Sequence, residues 1–217
     1  MIGPCPLGRG PTRIVSANKA PGGYGLGTIS QTVTDFDTVK LNGWYFGAIG
    51  TAHAPDSVNE WSVRVTNLAH NSEVCIQDAY AITNVNAYLH RRRLVYIDTA
   101  TQDNPWEWVA PPMTLGQEYR TTEHYMDKPV YTMAFSFGAL PNASDKGVVM
   151  PGTDGTCKII EIHGYASNEM SLPGVSGVSE ALQVTLTGLG NTAYVKTGAD
   201  RSSATATIVA KYIKTTD

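Results

Sequence analysis

The sequence predicts an all-β protein of two antiparallel β domains, the second a β-sandwich. Three observations predict it. Short runs with an apolar residue at every second position recur, as in EWSVRVTNL and KPVYTMAFSFGAL, and a repeat of two marks a half-buried strand. Turn formers part the runs: HAPDS, AHNS and TQDNP. No stretch sustains the 3.6-residue repeat of a long amphipathic helix.

In chain order, residues 1–28 carry GPCPLGRGPTR and APGGYGLG, without periodicity, and read as a linker to something upstream. TVTDFDTVKLNG has room for one short helix, with Asp35 or Thr34 as its N-cap. NGWYFGAIG points Trp44 and Phe46 one way and Tyr45 the other. EWSVRVTNL sets Trp61, Val63 and Val65 against Ser62, Arg64 and Thr66. SEVCIQDAY groups Val74 with Ile76, and RRRLVYIDT opposes Leu94 and Tyr96 to Val95 and Ile97. In PWEWVAPPM, Trp106 and Trp108 share one face of a strand and Glu107 takes the other. Pro111 and Pro112 end that strand, because proline brings no N–H to a ladder. The first domain therefore spans 29–113 and the second 114–217. Spacing leaves open whether the tryptophan pair meets core or solvent. Indole size favours the core; an exposed pair would be an aromatic platform.

After the prolines the rhythm restarts. Tyr131, Met133, Phe135 and Phe137 face one way, Val130, Thr132 and Ala134 the other. TCKIIEIHGYA alternates Ile160 and Ile162 against Ile159, Glu161 and His163. EALQVTLTGLG sets Leu182, Val184 and Leu186 against Gln183, Thr185 and Thr187. Two closing strands flank the turn TGADRS, the last with Ala206, Ile208, Ala210 and Tyr212 on one face. Several short strands with Gly-rich turns build an antiparallel sandwich.

Charged residues are 16% of the 217, against ~25% in an ordinary soluble domain; Thr, Ser, Gly, Ala and Asn fill the gap. That polar, weakly charged surface suits an extracellular or particle-surface protein. A net charge of −3 gives nucleic acid no electrostatic pull. The run Arg91-Arg92-Arg93 lies within a strand-like stretch and reads as a local face or ion-pair site. Cys5, Cys75 and Cys157 are odd in number and far apart, which supports neither a disulfide framework nor zinc. Cys75 and Cys157 sit beside apolar strand positions as buried free thiols. No apolar run approaches ~18 residues, so no membrane insertion is expected, and MIGPCPLGRGPTR lacks the apolar centre of a signal peptide.

No catalytic constellation stands out. HExxH, GxSxG and the P-loop are missing. GGYGLG follows no strand, so it fails as a dinucleotide loop. His53, His70, His90, His124 and His163 have no partner at ligand spacing. Asp35 and Asp37 flank Phe36 in a pattern that caps turns. Glu118, Glu123 and Asp127 give no separation from which to argue a glycosidase pair. The expectation is a non-enzyme without catalytic residues, metal or cofactor. Surface recognition remains: aromatic rings stack on the apolar faces of pyranoses while Asn, Asp and Thr bond their hydroxyls. Loops on a rigid scaffold carry such contacts. The longest irregular stretches, 140–155 and 165–180, offer Asn142, Asp145, Tyr165, Asn168 and Glu169 as receptor contacts, with Trp106 and Trp108 as the alternative platform.

EYRTTEHYMDKPVYTMAFSFGALPN, residues 118–142, resembles a segment recurrent in C-terminal domains of bacteriophage and prophage tail fibres. ATATIVAKYIKTTD resembles the end of such fibres. Together they cover most of 116–217. The stretch from TDFDTVKLNGWYF to NPWEWVAPPM is similar in layout to the knob domain of pyocin and phage tail fibres. The resemblance implies the distal, receptor-binding part of a fibre in the virion, with a shaft upstream of residue 28. It implies a homotrimer that meets a bacterial surface polysaccharide or protein outside the cell, and it brings no catalytic residue with it. A glycan-binding accessory module of a secreted or prophage-encoded hydrolase is the alternative.

Overall fold

The computed structural model describes residues 30–67, 74–82, 89–96, 104–167, 170–175 and 183–217. The linker, Ile97, Leu182, Asn168 and Glu169 lie outside these. The protein is all-β, and among the described residues no helix is long and apolar enough to cross a membrane. The chain divides into two compact units: residues up to Ala87 with Leu94–Asn104, and Tyr88–Arg93 with Pro105–Asp217.

In the first unit β1 (Gln31–Asp35), β2 (Gly43–Ala52), β3 (Trp61–Asn67) and β4 (Val74–Ala81) lie side by side in sequence order. β2 and β3 pair antiparallel, as do β3 and β4. The β1–β2 pair is parallel, a departure from the purely antiparallel expectation. Trp61, Val63 and Val65 are buried together on β3, as their alternation predicts. On β4 the buried face carries Cys75, Gln77, Ala79 and Ala81, while Val74 and Ile76 are half-buried on the other.

A single 3₁₀ turn, Phe36–Thr38, follows β1. Asp35 is its N-cap, accepting from the Asp37 N–H at 2.8 Å. The buried Gln77 amide donates to the carbonyls of both Phe36 and Val39 at 2.8 Å, tying the turn to the sheet. The Phe36 ring lies over Gly47: a Cβ there would sit 2.5 Å from Phe36 Cζ, so the strand must be bare at that point.

The second unit takes His90–Arg93 of β5 (His90–Tyr96) and β6 (Glu107–Ala110), which pair antiparallel. β6 runs parallel to β7 (Glu118–Tyr125), through Trp108 opposite Thr121. The tryptophan strand thus groups with the C-terminal unit. β7 turns into β8 (Lys128–Ala139) through Met126 and Asp127, both at positive φ (51° and 61°). That pair of angles gives a two-residue loop the twist a hairpin needs. The sheet continues through β15 (Thr205–Lys214), β10 (Cys157–Ala166) and β11 (Met170–Leu172). A second, wholly antiparallel sheet orders β12 (Gly174–Val175), β13 (Gln183–Leu189), β14 (Thr192–Thr197) and β9 (Asp145–Val149). The two closing strands therefore belong to different sheets, and TGADRS carries the chain between them.

The core of this sandwich joins Tyr131, Met133, Phe135 and Phe137 of β8 to Ala206, Ile208, Ala210 and Tyr212 of β15. Leu186, Ala193 and Val195 meet them from the other sheet. One facing differs from the sequence reading. Ile159 pairs with Tyr212 and Glu161 with Lys211, so Ile160 is an extra residue, a β-bulge. The bulge resets the alternation, and Ile159 and Ile162 pack against the same core instead of opposing each other.

Candidate functional site

The sites the sequence proposes fall in separate places. Trp106 and Trp108 are half-buried, in the second unit. Antiparallel pairing sets Arg91 opposite Trp108 and Arg92 opposite Glu107. The two period-two patterns, Arg-x-Arg and Trp-x-Trp, therefore share a face. The Arg91 guanidinium lies 4.5 Å from the Trp108 ring centroid and that of Arg93 lies 4.5 Å from Trp106. Arg91 also donates to the Trp106 carbonyl at 3.1 Å, and Tyr119 meets Trp108 edge-on at 5.4 Å. On the opposite side of β6, Glu107 accepts from Arg120 Nε at 2.8 Å. Each of these two indoles thus has a guanidinium carbon over its ring. The arginine run that composition marks as a local face is the other half of this stack.

Asn142 is exposed and forms an isolated bridge to Asp200. The Asp200 carboxylate accepts from the Ser202 N–H and hydroxyl, which hold it below the usual carboxylate range. Tyr165 is exposed on β10, on the other sheet. Asp145 opens β9, the edge of the four-stranded sheet. Asn142 and Asp145 are neighbours, three residues apart; Tyr165 stands on a different sheet.

Asp145 does have company that spacing hid. Register sets Thr187 opposite Tyr194 and Tyr194 opposite Gly147, and the next row runs Thr185, Lys196, Asp145. These two rows floor a groove of about 500 Å³, with Leu189 at its margin. Its side chains are the outward ones, since Leu186 and Val195 face the core. The Tyr194 ring is 41% exposed and lies across β9 at its bare position: a Cβ on Gly147 would come within 2.7 Å of Tyr194 Cε1. The sequence signal that could have found the groove was outward alternation in QVTLTGL and TAYVK. What it lacked was the register.

A third cluster belongs to the first unit. His53 Nδ1 lies 2.8 Å from Asp35 Oδ1 and 3.3 Å from Asp37 Oδ2. The three ligand atoms lie within 4.8 Å of one another and could offer a nitrogen and two oxygens to a cation. Eighteen residues separate His53 from Asp35, which is why no ligand spacing shows in the sequence.

No family model and no curated protein matches the chain. Among solved structures it is similar to an N-truncated R2-type pyocin tail fibre, with 11% identity over 85% of this chain and 98% of that one, at a TM-score of 0.29. It is similar in the same way to a P. aeruginosa R2 pyocin fibre comprising C-terminal residues 323–691 (11% identity, 85% and 67% covered, TM-score 0.29). An R1 pyocin fibre from P. aeruginosa matches at 9% identity over 85% of this chain and 68% of that one, at a TM-score of 0.27. Superpositions this loose leave function to be argued from the residues.

Proposed function

We propose that this chain is the distal, non-catalytic part of a phage-type tail fibre, a homotrimer that attaches the virion to a bacterium through surface polysaccharide. The observation that supports the reading is the mating of the two segments that carry the resemblance. Residues 118–142 supply β7 and β8, the fibre-like ending supplies β15, and β8 and β15 pair along their length. Lys128 donates to the main-chain oxygens of Lys214, Thr215 and Asp217. The Tyr131 hydroxyl donates to the Asp217 carboxylate at 2.6 Å. Glu118 accepts from the Tyr212 hydroxyl and from Lys214. Lys-Pro-Val-Tyr and Tyr-x-Lys-Thr-Thr-Asp are therefore two halves of one clasp, so the resemblance covers a single interlocked unit. In a trimer, three shallow sites held together gain avidity through effective concentration.

The accessory-module reading has the exposed Tyr194 groove in its favour. Light scattering on a sizing column separates the two. The fibre reading expects three times the 23.3 kDa chain mass. A monomer that binds polysaccharide would return the accessory module.

A further inference from the structure

We infer that the groove around Tyr194 is the polysaccharide site and takes one pyranose unit flat on the tyrosine ring. This rests on the adhesion reading above. Three observations carry it. First, the ring is exposed yet fixed, because it fills the space left by Gly147 on the neighbouring strand. A held ring loses little freedom on binding. Second, the polar groups beside it are uncommitted. Lys146, Lys211 and Lys214 are engaged by carbonyls or carboxylates. Among the described residues, Asp145, Lys196, Thr185 and Thr187 make no side-chain hydrogen bond or ion pair, although all four line the groove. Third, register spaces them around the ring: Thr187 beside Tyr194 in one row, Thr185, Lys196 and Asp145 in the next.

The chemistry matches a sugar better than a peptide or a nucleotide. A pyranose presents axial C–H groups to an aromatic face and hydroxyls at its rim. A carboxylate accepts from two neighbouring hydroxyls, an ammonium donates to ring or hydroxyl oxygens, and threonine hydroxyls do both. Carboxylate and ammonium together leave no net charge to select a phosphate-rich partner. Leu189, 72% exposed at the margin, offers an apolar edge to an adjoining residue of the glycan.

The test is binding of the whole chain to an array of bacterial lipopolysaccharides and capsular polysaccharides, with light scattering on each variant. Tyr194→Ala and Asp145→Asn should each weaken binding about tenfold or more, while Tyr194→Phe keeps it. Circular dichroism checks that the variants fold, and Asp145→Asn, at an exposed edge, keeps the test open should Tyr194→Ala not. If the wild type binds and Asp145→Asn and Tyr194→Ala bind equally well, the groove is the wrong place and the adhesion reading survives. If the wild type binds nothing, both fall. If Tyr194→Ala or Asp145→Asn lowers the oligomer mass, the groove is a contact between copies of this chain and the inference is overturned.

Discussion

Tyr131 stacks on Tyr212 at 5.8 Å between ring centroids, and its hydroxyl is bound to Asp217. Burial, then the hydrogen bond to Asp217 and the charge of Asp217, push its pKa up to about 12, although Arg120 pulls the other way. Burial and Glu118 push Tyr212 up as well. An unfolded tyrosine titrates near ~10, so the folded state holds these protons more tightly. Their contribution is whole below pH ~10 and is lost as pH rises through the folded value. Urea denaturation at about pH 9 and about pH 11 should show the second unit weaker at the higher pH. Tyr131→Phe should flatten that drop, at a cost of about 1 kcal/mol near neutrality for the lost hydrogen bond. A residue can thus be placed correctly in a strand from sequence and still hide its chemistry. Alternation puts Tyr131 on the inner face, but its carboxylate partner lies 86 residues away. Distance along the chain hid His53 from Asp35 and Asp37 in the same way.

Strands are legible in this sequence and their partners are not. Trp61, Val63 and Val65 declare their face by period two alone, as do Ala206, Ile208, Ala210 and Tyr212. Ile160 breaks the rule because a bulge is fixed by the strand opposite, and β15 leaves no mark inside TCKIIEIHGYA. The arginine and tryptophan strands make the same point. Each pattern is plain by itself, and only the β5–β6 register turns them into a stack. That stack has a measurable coupling. A double-mutant cycle with Arg91→Ala and Trp108→Leu, read by chemical denaturation, should give about 0.5–1 kcal/mol of interaction between the two. A coupling near zero would mean that the guanidinium only rests there. The Tyr194 groove is the functional counterpart. Its threonines are outward by alternation, but three strands had to be aligned before Thr185, Lys196 and Asp145 fell in one row.

For each unit as a whole, the second is held by one continuous core with Phe135 fully buried at its centre. Phe135→Ala should cost about 3–5 kcal/mol, measured as a lower denaturant midpoint for the transition of that unit. A loss under about 1 kcal/mol would mean the two sheets do not pack as described. The all-β architecture was readable, as was the lack of long helices among the described residues, because both depend on periodicity and turn residues alone. Division into units depends on which strands pair, so the placement of the tryptophan strand was not. The four indoles also give the molecule four built-in optical reporters. Trp61 is sealed from solvent, while Trp44 is 37% exposed beside Tyr80. Trp106 and Trp108 each look out at a cation. Iodide, drawn by the guanidinium charge, should quench the last two more readily than caesium does, while Trp61 keeps its emission in both. The emission of one unlabelled sample can then report which unit opens first.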